Sequence, residues 1–279
     1  MIKQHEIGKI YSQYIDAENE KNNQERYVGK EQFYHASGSG MCSRKLYFQS
    51  VSRVEPTHQS TPTSKRLMRL GTVVHNDIQN SLLVSNINNN IKLNNINNNI
   101  TNKELINKIR FDEFVVEGEI RIDELTVRGF FDMVLKSSSG IYLYDIKTAA
   151  AYSFTRVFNP EKEYTMKHHE LQLSTYGYGV KEKYGRLDGM YLLYYNKNTS
   201  VIKYKEVPLS MLNSAYMFWA NVKKQHTAGL PGFEDGVSPV MRWECDYCSY
   251  LGNCKPPDGY GKYSHKHLIK IGDIENENR

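Results

Sequence analysis

Two aspartates and a lysine lie near the ends of two neighbouring predicted strands. Asp132 follows Gly129-Phe130-Phe131, and Asp145 and Lys147 end the segment Tyr144-Asp145-Ile146-Lys147. Alternate residues of a strand share a face, so Asp145 and Lys147 point the same way, and antiparallel pairing lets Asp132 approach Asp145. Neighbouring carboxylates repel each other unless a cation lies between them. The pattern therefore predicts a site for Mg²⁺ or Mn²⁺.

Such a site has the chemistry of phosphodiester hydrolysis. A divalent cation polarises the phosphate and lowers the pKa of bound water, and a lysine stabilises the negative charge that develops. Taken alone, a D-x-K pattern is also explained by an exposed Asp–Lys pair at a strand end. Further polar residues flank it in the chain, because His75 lies on the preceding predicted helix and Gln172 and Tyr176 lie one turn apart on the following one.

The elements that must position these residues alternate between strands and helices. Residues 114–122, 125–136 and 141–147 read as an antiparallel meander, followed by a helix over about 167–184. A hairpin of 188–196 with 201–207 and a helix over about 210–226 complete the pattern. This order predicts an α/β fold with a mixed sheet flanked by helices.

Two helices with an apolar stripe are predicted before the meander, and a short helix over 41–48 is predicted between them. The first has an apolar stripe expected to pack as a lid on the segments downstream of it, and the second begins at an N-cap, Ser64, before its own stripe. The stripe of the first consists of Ile7, Ile10, Tyr11, Tyr14 and Ile15, and that of the second of Leu67, Leu70, Val74, Ile78 and Leu82.

Residues 86–102 contain ten Asn and repeat the sequence Asn-Ile-Asn-Asn-Asn-Ile. Asn is a poor former of both helices and strands, so this stretch is interpreted as a surface insertion without chemistry. We expect an N-terminal helical segment over 1–63, a core over 64–236 that contains the insertion, and a C-terminal cysteine segment over 237–279.

Composition narrows the class of protein. The 279 residues carry 36 Lys and Arg against 31 Asp and Glu, a net charge of +5, and their mean hydropathy is −0.62. No apolar run is long enough for a transmembrane helix and no export signal is evident, so we expect a cytoplasmic protein in a reducing compartment. The mild positive charge slightly favours a nucleic-acid partner over none. Six basic residues near the motifs are candidates for a DNA channel: Arg44, Lys45, Lys65, Arg66, Arg69 and Arg128.

The order of the motifs resembles the RecB-type branch of the PD-(D/E)XK nuclease superfamily. The matching patterns are L-G-x-x-x-H, G-x-x-D, D-x-K and Q-x-x-x-Y, spread over about 110 residues from Leu70 to Tyr176. This resemblance implies that His75, Asp132 and Asp145 hold the metal and that Lys147 assists attack. It further implies that Gln172 and Tyr176 position DNA or the lysine. Asp145 stands where many relatives have Glu, which should leave the metal site intact.

The four cysteines form a second candidate site. Cys245, Cys248 and Cys254 follow the spacing C-x₂-C-x₅-C, and Cys42 lies about 200 residues upstream. Thiolate-rich spacing of this kind binds Zn²⁺ or an iron–sulfur cluster, and spacing alone does not decide between them. The whole arrangement resembles the iron–sulfur nucleases of the AddB and CRISPR-associated RecB-like type. That resemblance implies a [4Fe-4S] cluster held by all four cysteines, which joins the two ends of the domain.

The sequence therefore predicts a metal-dependent DNA exonuclease that acts in recombination, repair or the processing of DNA ends. No G-x-x-x-x-G-K-[ST] motif is present, so any unwinding is expected from a helicase or recombination partner. Two alternatives stay open. One is a non-catalytic DNA-binding or assembly subunit, such as a CRISPR-adaptation accessory, that keeps the fold and cluster; the other is a zinc-ribbon protein with an incidental D-x-K.

Overall fold

A mixed six-stranded sheet carries the aspartates and the lysine. A computed structural model of the chain describes residues 6–27, 32–90, 113–159, 161, 166–233, 244–255 and 268–270. Strands β3 (Glu113–Ile122), β4 (Val127–Ser137) and β5 (Gly140–Ala149) form the antiparallel meander expected from the sequence. Strand β6 (Gly189–Asn196) lies parallel to β5, and β7 (Ile202–Val207) pairs antiparallel with β6. The two-residue strand β1 (Tyr34–His35) completes the order β1-β4-β5-β6-β7, and β3 pairs with β4.

The connection from β5 to β6 is a crossover, because parallel neighbours cannot be joined by a tight turn. It contains α4 (Ala151–Val157) and α5 (Lys167–Tyr184). The hydrophobic pattern predicts α5 but does not indicate α4 or which two strands are parallel. An α/β fold with a mixed sheet and flanking helices is therefore confirmed.

Helix α5 packs closely against the sheet. Its Leu173 and Val180 are fully buried, and Trp219 of α6 (Met211–Thr227) is fully buried as well, donating a hydrogen bond from Nε1 to Thr175 Oγ1 at 3.0 Å. A Cβ atom at Gly179 of α5 would lie 2.7 Å from Ile120 Cβ, so only glycine lets the helix approach β3 this closely.

The first helix, α1 (Glu6–Tyr27), forms as predicted, but its apolar stripe does not pack as a lid. Ile15 is buried, whereas Ile7 is 64% exposed and the stripe's other three members are also exposed. Polar contacts with Lys65 and Arg66 hold α1 instead. Lys65 Nζ lies 2.9 Å from Asp16 Oδ1, and Arg66 donates a hydrogen bond to Ser12 Oγ. The hydrophobic spacing is compatible with a helix whether or not its stripe is covered.

Helix α3 (Pro62–Asn90) differs from expectation at both ends. Thr61, not Ser64, is the capping residue, because the Ser64 backbone amide donates to Thr61 Oγ1 and Pro62 occupies the first helical position. The predicted apolar stripe is half exposed at Leu67 and Leu70. The Asn-rich stretch begins inside this helix, over 86–90, since a low propensity does not stop a long helix from propagating. Its remainder, 91–102, lies outside the described residues.

The chain divides into two units. The sheet unit comprises His35–Ser39 and Val73–Ala220, and the cysteine unit comprises Met1–Tyr34, Gly40–Thr72 and Asn221–Arg279. The cysteine unit contains α2 (Ser43–Leu46), β2 (His58–Ser60), α7 (Leu251–Cys254) and β8 (Leu268–Lys270), with β2 and β8 paired antiparallel. The three-part division of the sequence into 1–63, 64–236 and 237–279 stays a prediction.

Among the residues that the structure describes, no helix has the length and apolar content needed to cross a membrane.

The contact at Gly179 yields a stability prediction. Gly179→Ala should destabilise the protein by about 1–3 kcal/mol, because the added methyl overlaps the Ile120 side chain in a packed core. The control is Gly8→Ala in α1, where a Cβ meets nothing within 4 Å and the gain in helix propensity should stabilise slightly. Thermal unfolding measures both variants, and an unchanged melting temperature for Gly179→Ala would contradict the close packing of α5 on β3.

Candidate active site

The register of β4 and β5 brings the two aspartates together. The paired ladder reaches Met133 opposite Tyr144, and Asp132 and Asp145 are the next residues along each strand. Asp132 Oδ2 accepts a hydrogen bond from the Ile146 backbone amide at 2.6 Å, which ties its carboxylate to β5. The Asp145 side chain is 2% exposed. Both carboxylates therefore lie just past the paired part of the ladder, near the middle of β4 and β5 and not at the strand ends that the sequence predicts.

Lys147 connects these acids to α5. Its ammonium lies 2.7 Å from Asp145 Oδ2 and donates a hydrogen bond to Gln172 Oε1 at 2.9 Å. Gln172 Nε2 in turn donates to the Tyr176 hydroxyl at 3.2 Å. The i, i+4 spacing on α5 thus holds the glutamine in contact with both the lysine and the tyrosine.

Helix α3 supplies His75, whose Nδ1 lies 3.5 Å from Asp132 Oδ2. One turn later, Gln79 donates to the Asp132 carbonyl oxygen and to Glu117 Oε1, both at 3.0 Å. The structure thus brings together all six residues of the predicted metal and catalytic set, and it adds Gln79 and Glu117. The spacing of four residues from His75 is the one signal in the sequence that points to Gln79.

Close packing explains why the G-x-x-D pattern has a glycine at position 129. A Cβ at Gly129 would lie 2.6 Å from Ala36 Cβ and 2.8 Å from Tyr176 Cε1. Any side chain here would push the Tyr176 ring away from its place beside Gln172. Gly129 therefore permits the contact between β4 and α5 on which the position of Tyr176 depends.

Burial dominates the electrostatics of Asp145. It raises the pKa of this carboxyl above its ordinary value, and the charge of Asp132 raises it further, while the Lys147 ammonium and His75 act in the opposite direction. Although Asp145 Oδ2 is in ion-pair contact with Lys147, it accepts no hydrogen bond of good geometry. A buried carboxylate oxygen in this state is well placed for a cation.

Two histidines at the start of α5 extend the polar region, and sequence reasoning missed them. Burial and the nearby Lys147 ammonium lower the pKa of His168 to about 4 and that of His169 well below its usual value. His169 Nδ1 lies 2.9 Å from the Tyr194 hydroxyl. Both imidazoles are therefore neutral at pH 7, and the positive charge in this region comes from Lys147.

The donor types fit a divalent cation. Two carboxylates and an imidazole are suitable ligands for Mg²⁺ or Mn²⁺, and the buried Asp145 oxygen beside a second carboxylate provides the negative charge. Across the described ranges, no three His, Cys, Asp or Glu side chains are arranged as a metal site. The acids instead contact Lys147, His75 and the Ile146 amide, so ligation requires their side chains to turn.

The four cysteines line one cavity in the cysteine unit. Its walls also include Phe48, Phe233, Tyr250 and Leu251, so the surroundings of the thiols are largely apolar. The Phe48 and Tyr250 rings are stacked with their centroids 5.9 Å apart. None of the four cysteines is in a disulfide.

Charged residues surround this cavity. Arg44 donates from Nε to Cys254 Sγ at 3.2 Å and from another nitrogen to the Cys254 carbonyl oxygen. The buried Glu244 accepts from the Cys42 backbone amide at 2.7 Å and pairs with Lys45 at 3.0 Å. The arginine is placed to stabilise negative charge on sulfur, and the glutamate fixes the backbone at Cys42.

The basic residues proposed for a DNA channel have intramolecular contacts. Arg44 and Lys45 contact Cys254 and Glu244 at the cysteine cavity. Lys65 and Arg66 contact α1, and Arg128 pairs with Glu119. Arg69 lies over the Tyr14 ring, 5.9 Å from its centroid. Each of the six therefore has a partner within the chain.

Comparison with protein families identifies the fold. The family described as the PD-(D/E)XK nuclease superfamily matches residues 92–255, which is more than half of the 279 residues. The chain belongs to the PD-(D/E)XK nuclease superfamily. The matched region includes Asp132, Asp145, Lys147 and Gln172, and it begins downstream of His75.

Two solved structures resemble this chain at low sequence identity. The crystal structure of SSO0001 superimposes with a TM-score of 0.53 at 15% identity, covering 90% of this chain and 97% of that one. A protein from Eubacterium rectale named "Putative exonuclease" matches with a TM-score of 0.42 at 14% identity, covering 72% and 83% of the two chains. The first supports the fold, and the second is too distant to carry an argument. No curated protein matches this chain in sequence.

The cysteine cavity yields a prediction about thiol reactivity. Burial raises the pKa of Cys42 to about 12 and the pKa values of Cys245 and Cys248 to about 11, so these thiols are protonated at pH 8 when no metal is bound. In metal-free folded protein, iodoacetamide should modify these three cysteines on the order of 10²-fold more slowly than in the urea-unfolded chain, because the thiolate is the nucleophile. Mass spectrometry of the alkylated peptides measures each rate. Equal rates in folded and unfolded protein would contradict the buried cavity.

Proposed function

We propose that this protein is a metal-dependent DNA exonuclease of the RecB type, which hydrolyses phosphodiester bonds at DNA ends. The observation that carries the proposal is the continuous set of contacts from Asp132 and Asp145 through Lys147 to Gln172 and Tyr176. This set places a lysine between a buried acid and a glutamine, an arrangement suited to stabilising the charge that develops on a phosphate under attack.

Each residue has a role that follows from its contacts. Asp132, Asp145 and His75 would hold the divalent cation, which supplies Lewis acidity and a more acidic water when bound. Lys147 stabilises negative charge on the phosphate as it is attacked, since it is the cation of the site nearest to Asp145. Gln172 orients the Lys147 ammonium, and Tyr176 orients Gln172.

The substrate and pathway follow from the family and the motifs. DNA is the substrate that a PD-(D/E)XK nuclease implies, and the resemblance to RecB-type enzymes favours the processing of ends in recombination or repair. A helicase or recombination protein is the partner that would supply single strands, since the chain has no nucleotide-binding motif of its own.

The proposal includes a structural [4Fe-4S] cluster on Cys42, Cys245, Cys248 and Cys254. Its support is that all four thiols line one apolar cavity, that none is in a disulfide, and that Arg44 donates to a sulfur. Such a cluster would tie Cys42 to three cysteines about 200 residues downstream and so remove entropy from the unfolded chain.

The metal chemistry is tested on the two acids. Asp132→Asn and Asp145→Asn should each lower the hydrolysis of end-labelled DNA below detection, because each removes a charged oxygen ligand, while circular dichroism stays that of the folded protein. EDTA should abolish wild-type cleavage, and Mg²⁺ or Mn²⁺ should restore it. The control is Asp77→Asn on the exposed side of α3, which should cleave normally. Cleavage that persists in EDTA, or no cleavage by the wild type with Mn²⁺, contradicts the proposal, and the second result favours a non-catalytic DNA-binding subunit.

Lys147 should affect turnover more than affinity. Lys147→Ala is expected to lose on the order of 10²-fold or more in turnover while still binding DNA, because its ammonium acts on charge that develops during reaction. Single-turnover assays combined with DNA-binding titrations separate the two effects. Were affinity and turnover to fall equally, Lys147 would be an anchor for the phosphate and not a catalytic group.

The cluster is tested by metal content. Anaerobically purified wild-type protein should contain about four irons per chain with absorbance near 400 nm, and Cys42→Ala should lose the iron and melt at a lower temperature, since three thiolates do not close a four-cysteine site. Ser43→Ala alters the neighbouring residue without removing a thiol and should keep the iron. Stoichiometric zinc without iron in the wild type would show a zinc site instead.

A further inference from the structure

Glu117 on β3 lies in line with Asp132 on β4 and Asp145 on β5, so the three acids form one row across the sheet. Val116 pairs with Met133 and Gly118 pairs with Phe131, so Glu117 stands opposite Asp132 in the register. Asp132 stands in the same way opposite Asp145, given the pairing of Met133 with Tyr144. Like charges directly opposite each other on neighbouring strands are unfavourable. Three acids in one cross-strand row therefore need compensating interactions, and the Lys147 ammonium beside Asp145 supplies one of them.

The backbone at Glu117 is also unusual. Its φ is +48°, in the left-handed region that a non-glycine residue adopts at a cost. The residue interrupts a ladder that is otherwise in register on both sides. Glu117 is exposed to solvent, so burial of its side chain does not explain the conformation.

Gln79 holds Glu117 and Asp132 together. The glutamine is 5% exposed, and its Nε2 donates both to Glu117 Oε1 and to the Asp132 carbonyl oxygen at 3.0 Å. It lies one helical turn after His75, which contacts the Asp132 carboxylate. One face of α3 therefore fixes both the side chain and the backbone of Asp132 and, through the same amide, the carboxylate beside it.

We propose that Glu117 is a further acidic residue of the cation site, where it binds the hydration shell of the divalent cation, and that Gln79 is the positioning residue that holds it there. Mg²⁺ and Mn²⁺ are bound by a few carboxylates and keep several waters, and those waters need acceptors. An exposed carboxylate across from Asp132 meets that need, and the cation offsets the repulsion within the row. This inference rests on the proposed metal-dependent function.

Mn²⁺ binding to the full-length protein without DNA tests Glu117. Glu117→Gln keeps an oxygen that accepts from Gln79 but loses the charge, so calorimetric titration should show Mn²⁺ binding about tenfold weaker than in the wild type, the size expected for an outer-shell group. Glu113→Gln makes the same change four residues earlier on the same strand and should bind Mn²⁺ as the wild type does.

A second pair of variants tests Gln79. Gln79→Leu should also weaken Mn²⁺ binding about tenfold, and combining it with Glu117→Gln should weaken binding by clearly less than the product of the two single effects, since both act through one carboxylate. If Gln79 only stabilises the fold, Gln79→Leu should change the melting temperature and leave the Mn²⁺ affinity unchanged.

The outcomes separate this inference from the proposed function. If Asp132→Asn weakens Mn²⁺ binding but Glu117→Gln does not, or if the effects of Gln79→Leu and Glu117→Gln simply multiply, the inference is overturned and the nuclease site stands. If Asp132→Asn binds Mn²⁺ as tightly as the wild type, the metal site itself is wrong, and the proposed function fails with it.

Discussion

The contact between the buried Asp145 carboxylate and the Lys147 ammonium is the interaction on which the candidate site depends. Asp145 is almost fully buried, and an uncompensated carboxylate there is unfavourable, so the lysine stabilises the folded state in addition to its proposed role in chemistry. Lys147 can reach Asp145 because the strand repeat places the two on one face of β5. Its remaining contact, with Gln172, fixes the position of α5 relative to the strand. One ion pair thus links strand register, helix packing and the placement of positive charge.

Close packing around this pair explains the small residues in the sheet unit. Gly129 leaves room for the Tyr176 ring, and Gly179 lets α5 approach Ile120. Larger residues would hold the helix away from the sheet and lengthen the contacts of Gln172 with Lys147. The opposite side of the acid row is organised from α3, whose His75 and Gln79 contact Asp132 at two different atoms. The acids are therefore fixed by two helices that are far apart in sequence.

The stability of the cysteine unit is a separate physical question. Elements such as α2, α7 and the β2–β8 pair are short, so a tie between segments that are distant in sequence helps to hold them. Four thiols at one apolar cavity, with Arg44 directed at a sulfur, are suited to that purpose. Burial disfavours free thiolates there, and a bound metal centre would compensate by stabilising them directly.

The sequence alone determined the α/β class, the meander and α5, because hydrophobic periodicity is a local property. Motif spacing predicted the acids, lysine, glutamine and tyrosine that the structure brings into contact. The sequence also predicted an N-terminal helix, but not that four of the five residues of its stripe are exposed, since periodicity does not report which surface is covered. Only the tertiary structure placed Gln79, Glu117, His168 and His169 beside the site. Apart from the four-residue spacing of Gln79 from His75, these residues belong to no local pattern, and their proximity arises from strand register and from helices that meet the sheet at long range. The parallel pairing of β5 with β6 was likewise decided by tertiary packing, because a crossover leaves no turn signal in the sequence.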